Sequence, residues 1–294
     1  MSLRLEMLQV ARLAPKLLGE SAELVTAFLR GTQTVDGGFT DRGGRSDLYY
    51  SVFAIEGLFA LRADLPLSSF RRYLESFNTG DGLDFVHLCC LARCWGMFKD
   101  EPLTGDIAAA ILGKIEACRA GDGGYAVRAG EEIGTIYHSF LALGAYQDLR
   151  GDLPSPSRMI DCVQSLRMPD GGYANRRDLP IGLTPPTAAA LTLLRHFNEP
   201  VDPSAVAWLL ARHFPQGGFF ATPDAPIPDL LSTATALHAL SGAKADLDPL
   251  RDPCLDFLDT LWTTAGGFLG SWEDEMLDAE YTYYGLLALG HLSV

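Results

Sequence analysis

The sequence predicts an all-α fold, an α/α toroid of six helical hairpins arranged as two concentric rings of helices. Three observations carry that prediction. A Gly-Gly-aromatic turn recurs along the chain, the helix before each turn is amphipathic, and the helix after it is apolar nearly all round.

The turn appears as Asp36-Gly37-Gly38-Phe39, Asp122-Gly123-Gly124-Tyr125 and Asp170-Gly171-Gly172-Tyr173, then as Gln216-Gly217-Gly218-Phe219 and Ala265-Gly266-Gly267-Phe268. The first gap, 86 residues, is about twice the later gaps of 48, 46 and 49, and Gly80-Asp81-Gly82-Leu83 lies midway as a degenerate sixth copy. Glycine permits the positive φ that a tight reversal requires. Ahead of the first turn, Ala22 to Leu29 has helical period and one polar face. Ser232 to Leu240 and Tyr281 to Leu292, which follow later turns, have none. A helix without a polar face must be buried, so the second helix of each unit belongs to the inner ring. The expected domain is 1–294, one toroid of six such repeats.

The inner helices align without gaps. They open at Asp47-Leu48-Tyr49-Tyr50-Ser51, Asp84-Phe85-Val86-His87-Leu88 and Glu132-Ile133-Gly134-Thr135-Ile136, then at Leu183-Thr184-Pro185-Pro186-Thr187, Asp229-Leu230-Leu231-Ser232-Thr233 and Asp278-Ala279-Glu280-Tyr281-Thr282. Four of the six open with aspartate, whose plain role is to cap free N–H groups at the positive helix end. All six starts then lie at one rim, and a cavity bounded by that rim is the default site.

Composition sets the wider limits. Of 294 residues, 48% are hydrophobic and 20% charged, ample for a core. A net charge of −14, with a sequence pI near 4.8, argues against nucleic acid as a partner, because phosphate binding needs a basic face. Six cysteines, Cys89, Cys90, Cys94, Cys118, Cys162 and Cys254, form no Cys-x-x-Cys pair and read as buried free thiols of a reducing compartment. Met1 to Glu20 scatters charges and lacks the apolar stretch of a signal peptide. No apolar run reaches the roughly 18 residues of a membrane span, so the expected location is the cytoplasm.

Gly-Gly-aromatic turns between paired helices at this spacing resemble the repeats of prenyltransferase β-subunits and squalene–hopene cyclases, from about Glu23 to Leu292. In protein prenyltransferases that resemblance implies zinc held by an Asp-x-Cys pair on the fifth inner helix and a histidine on the sixth. The matching positions here are Asp229, Leu231 and Tyr281, so two of three ligands are absent and zinc is not expected. A diphosphate substrate would bring magnesium instead. His87 is in phase with Tyr281 on the second inner helix, and His138 is one position off phase on the third; either reads first as a satisfied core histidine. Class II cyclases carry Asp-x-Asp-Asp-Thr-Ala at an inner-helix start, and Asp278-Ala279-Glu280-Tyr281-Thr282-Tyr283 resembles it, with Glu280 at the acid position. A carboxyl in an apolar, aromatic cavity has its pKa raised by desolvation, which suits a general acid. Tyr281, Tyr283, Tyr284, Tyr49 and Tyr50 could offer π-faces to a carbocation.

The loops after the turns carry Arg42, Arg45, Arg128, Arg176 and Arg177 in repeats one, three and four, and Asp224, Glu273, Asp274 and Glu275 in repeats five and six. Arginines at a pocket mouth suit a diphosphate through bidentate bonds, and solvated loop arginines are the bland alternative. The reading placed first is therefore a prenyltransferase-like protein that handles an isoprenoid in its central cavity, with Glu280, Asp278, Asp229 and Tyr281 as catalytic candidates. The five arginines with Tyr49, Tyr50, His87 and His138 are the binding candidates. It is placed ahead of a cyclase with Glu280 as acid because the resemblance implies a second helical domain for cyclases. A non-catalytic lipid-binding toroid or scaffold is the third reading. A helical-repeat α-type partner subunit is implied only if protein prenylation is retained.

Overall fold

A computed structural model describes residues 1–294. Two short helices, α1 (Leu3–Ala11) and α2 (Pro15–Leu18), precede six hairpins. The outer members are α3 (Ser21–Gly31), α5 (Leu67–Glu75), α7 (Gly105–Glu116), α9 (Pro156–Ser165), α11 (Pro203–Leu210) and α13 (Asp248–Leu261). The inner members are α4 (Leu48–Ala60), α6 (Phe85–Trp95), α8 (Ile136–Asp148), α10 (Thr184–His196), α12 (Leu230–Gly242) and α14 (Ala279–Leu292). Each inner helix packs on the next and α14 packs on α4, so the ring is closed. No helix is long and apolar enough to cross a membrane.

The outer ring closes through the turn glycines. A Cβ on Gly217, which sits at φ +106°, would lie 1.8 Å from the Pro253 carbonyl oxygen in α13. On Gly266, at φ +92°, it would lie 2.2 Å from the Leu24 carbonyl oxygen in α3, joining the last unit to the first. Only glycine meets both demands, a left-handed backbone and contact with the next helix's main chain.

A second device ties each turn to its own inner helix. The backbone N–H of the turn aromatic donates to a buried hydroxyl one turn into that helix. The pairs are Phe39 to Ser51 (2.9 Å), Tyr125 to Ser139 (3.1 Å), Tyr173 to Thr187 (2.9 Å), Phe219 to Thr233 (2.9 Å) and Phe268 to Thr282 (3.4 Å). In four of these units the same hydroxyl donates back along the helix, as Thr233 does to the Asp229 carbonyl at 2.6 Å. The degenerate second unit has Leu88 in this position, packed where a Cβ on Gly80 would stand. The capping aspartates behave as their spacing predicts: Asp47, Asp84, Asp229 and Asp278 each accept from backbone N–H groups of the helix they open, and Thr135 does so for α8.

The N-terminal helix was not foreseen from the pattern of Met1 to Glu20. It packs against α4, α8 and α14. Its anchors lie at the C-terminal ends of the inner helices: the Leu3 N–H donates to Gln147 Oε1 (2.9 Å), and Arg4 donates to Asp148 Oδ1 and the Gly96 carbonyl, both at 2.7 Å. Val10 lies against Gly290 of α14, where an added Cβ would be 2.2 Å from the Val10 carbonyl oxygen. Thus α1 closes the end of the ring opposite the capped rim.

Replacing Thr233 by Val should lower stability by about 1–3 kcal/mol, because it strands the buried Phe219 N–H. Thr233→Ser, which keeps the hydroxyl, should cost less; equilibrium denaturant unfolding distinguishes the two.

Candidate functional site

Because the inner helices are apolar on every face, the side chains they turn inward line a central space of ≈180 Å³. Aromatic residues dominate one wall: Tyr49 and Phe53 of α4, Tyr137 and Phe140 of α8, and Tyr284 of α14. Opposite stand Pro185, Pro186 and Ala189 of α10 with Leu231 and His238 of α12, and Met7 of α1 lies beneath. Tyr49 and Phe53 meet edge to face at 5.0 Å, and Phe53 and Tyr284 lie 5.5 Å apart.

Glu280 projects into this aromatic wall from the first turn of α14. Burial pushes its carboxyl up to about 7. Tyr49 moderates the effect by donating to Glu280 Oε1 at 2.5 Å, while Oε2 makes no hydrogen bond to the protein. The Tyr49 phenol is itself raised far above its ordinary range, first by burial. A carboxyl near neutrality inside an apolar chamber can hold a proton and release it to a bound molecule.

The other candidates divide around this group. Asp278 is 4% exposed and caps α14 through the Tyr281 N–H; burial raises its pKa. It also receives Arg42 Nε at 2.6 Å, and Arg42 grips Asp274 with both terminal nitrogens. The Tyr281 ring packs on Arg42, whose guanidinium carbon is 5.3 Å from its centroid, and does not line the chamber. Asp229 caps α12 by accepting from the Ser232 N–H and hydroxyl, and burial raises its pKa. Tyr50 contacts Tyr49 edge to face but stays outside the lining. His87 is clamped between Asp47 (3.0 Å) and Asp84 (2.9 Å), and those carboxylates, Asp47 foremost, raise it to about 9. His138 bonds to the Thr135 hydroxyl and stands edge-on to Phe85, with its pKa lowered by burial.

The rim arginines do not converge, which corrects the expected head-group site. Arg42 is spent on Asp274 and Asp278 as above. Arg45 is 85% exposed and reaches Asp41, Arg176 pairs with Asp178 in its own loop, and Arg177 reaches Asp122 and Ser165. Arg128 is exposed. None of the five lines the chamber. Arg45 and Arg176 fold onto carboxylates of their own loops, whereas Arg42 and Arg177 are taken by carboxylates that the closed ring brings beside them.

A different arginine lies at the chamber. Arg93 of α6 binds Glu56 of α4 through two bonds of 2.7 and 2.6 Å, and the Glu56 side chain is 1% exposed. Sequence reasoning missed this pair. Its signal was one acidic and one basic residue in two neighbouring helices otherwise apolar all round, which complement each other once the ring is closed.

Glu280 gives two further expectations. Tyr49→Phe removes the bond that lowers the carboxyl and should move Glu280 above about 7, read by carboxyl infrared or NMR titration. Since its folded value is raised, ionised Glu280 costs stability: the penalty is absent below the ordinary 4.5, grows between 4.5 and about 7, and is complete above. Glu280→Gln should therefore stabilise the fold by on the order of 3 kcal/mol at about pH 8. The gain should fade toward acid in unfolding curves.

The family model described as prenyltransferase alpha-alpha toroid domain matches residues 7–80 and 187–293. No curated protein sequence matches the chain. Among solved structures, a variant of the type II terpene cyclase MstE from Scytonema, in complex with merosterolic acid A, aligns at TM-score 0.65 and 16% identity, covering 95% of this chain and 97% of that one. An α-1,6-mannanase from Salegentibacter aligns at TM-score 0.63 and 12% identity, covering 93% and 98%. The protein geranylgeranyltransferase-I of Candida albicans, complexed with GGPP, aligns at 0.52 and 15%, covering 97% and 83%. The expectation that a cyclase needs a second helical domain does not hold, since this toroid spans nearly the whole MstE chain.

Proposed function

The chain belongs to the prenyltransferase alpha-alpha toroid family, and from that membership we propose that it is an isoprenoid-handling enzyme of the proton-initiated, class II cyclase type. The observation that carries the reading is Glu280, held near neutrality by burial in the aromatic chamber and bonded to Tyr49. Cyclase chemistry is favoured over the diphosphate transfer that the loop arginines suggested, because none of them lines the chamber. The likeness to a cyclase solved with geranylgeranyl dihydroxybenzoate supports an isoprenoid-bearing substrate.

The step follows from the groups present. Protonated Glu280 delivers its proton to the less substituted carbon of a trisubstituted double bond, and the π electrons of that bond form the new C–H bond, leaving a tertiary cation. That cation is attacked by the next double bond, closing a ring. The final cation loses a proton to water, restoring an alkene, and Glu280 is reprotonated from solvent, so the product is an isomer of the substrate. Tyr49 stabilises the carboxylate left behind, which strengthens the acid. The faces of Tyr49, Phe53, Tyr137, Phe140 and Tyr284 offer negative quadrupole to the passing charge. Asp278 is a positioning residue: it caps α14 and ties that helix end to Arg42.

Incubation with prenols and prenylated hydroxybenzoates in deuterated water should yield a cyclic isomer carrying one added deuterium by mass spectrometry. Glu280→Gln should cut the rate by a factor of about 10²–10⁴, the usual contribution of a general acid. Product formation unchanged in that variant would sink the mechanism.

A further inference from the structure

The bore of the toroid does not run open from rim to rim. Met7, on α1, floors the ≈180 Å³ lobe that holds Glu280. A second lobe of ≈40 Å³ lies against Leu3, Arg4 and Asp148, and Met7 borders it as well. Tyr49, Phe53, Arg93, Phe140 and Leu141 are shared walls, so the two lobes adjoin, and Met7 lines both. By the measure of a dry 150 Å³ cavity that accepts benzene, one carbon occupies about 25 Å³. The upper lobe then encloses about seven carbons and the lower about two more.

Met7 holds its depth because α1 is anchored by buried charge. Arg4 and Asp148, 6% and 2% exposed, pair at 2.7 Å, and Glu6 is ion-paired with Arg195 and lies 3.8 Å from His238 Nε2. Removing one member of a buried pair strands the other, so withdrawing α1 is unfavourable. The Leu3 N–H bond to Gln147 adds a third tie.

From these observations we propose that α1 is the depth gauge of the cavity, with Met7 as its stop, limiting the enclosed apolar chain to roughly seven carbons. The proposal rests on the isoprenoid reading above and deepens it: the substrate class is a molecule with a short prenyl group, and any longer group leaves its remainder at the rim. Met7 is then a specificity-determining residue supplied by a segment outside the six hairpins.

The test uses the full chain and two ladders of probes, prenols of five to twenty carbons and straight-chain alkanols of four to twenty, with binding followed by tryptophan fluorescence or calorimetry. For the unaltered protein, affinity should climb to about seven carbons and gain little beyond. Met7→Ala joins the lobes and should raise affinity for fifteen-carbon probes by roughly tenfold or more, since each added buried methylene strengthens binding. Met7→Phe should move the break to shorter chains and guards against a loosened Ala variant. A common length dependence in all three proteins, or tighter binding of twenty-carbon than ten-carbon probes by the unaltered chain, overturns the gauge. A break with alkanols and no binding of prenols would keep the gauge and remove the isoprenoid reading; silence from both ladders removes both.

Discussion

A single hydroxyl, four residues after each inner-helix cap, does two jobs in most units. It accepts the N–H of the turn aromatic and donates to the carbonyl of the capping residue, as Thr233 does between Phe219 and Asp229. This locks the turn, the start of the inner helix and the aromatic side chain into one rigid corner. The corner is buried, so its groups have no water to fall back on. Repeated in five of the six units, it fixes the start of each of those inner helices to its turn and brings their first turns to one rim. The closing glycine contacts lie beside it: at Gly217 and Gly266 an added Cβ would overlap the main chain of the next outer helix.

What the ring encloses follows from that regularity and from where it is broken. Six apolar helices would enclose a purely apolar space, yet the chamber includes a carboxyl and an arginine. Arg93 is neutralised by Glu56 and serves structure. Glu280 has only the Tyr49 hydroxyl, so its ionisation stays expensive and its proton stays available near neutrality. A buried carboxyl left with one neutral partner costs stability, the usual sign of a group retained for chemistry. The toroid itself does not dictate this, since the same architecture serves a mannanase in Salegentibacter.

Much of this was readable from the chain. The turn repeat, the degenerate copy at Gly82 and the capping aspartates all depend on contacts within one unit, and local spacing reveals such contacts. The hydroxyl pin is equally regular, 14 residues after the aromatic in four units, but its meaning appears only with the hydrogen bond. Glu280 was legible as a carboxyl in an apolar helix start. The arginines were misplaced because their partners are set by the fold: Arg42 meets Asp278 and Asp274 across 236 and 232 residues of sequence. Leu231 and Tyr281 show the same division. Residue type alone showed that neither position carries the ligand the resemblance implies, but only packing put Leu231 in the chamber wall and Tyr281 against Arg42.

By itself the sequence determined the architecture, because a period of apolar residues and a glycine turn act over a few residues and repeat without regard to the rest of the chain. It also showed which apolar helix start carries a carboxyl in its first turn, Glu280. Tertiary structure decided how readily that carboxyl ionises, since the pKa of Glu280 depends on burial among rings from three helices and on one phenol from α4. It likewise decided the depth of the cavity. That depth is set by Met7 on a helix outside the repeat, anchored to Asp148 across 144 residues, and no local pattern encodes a contact made only when the ring has closed.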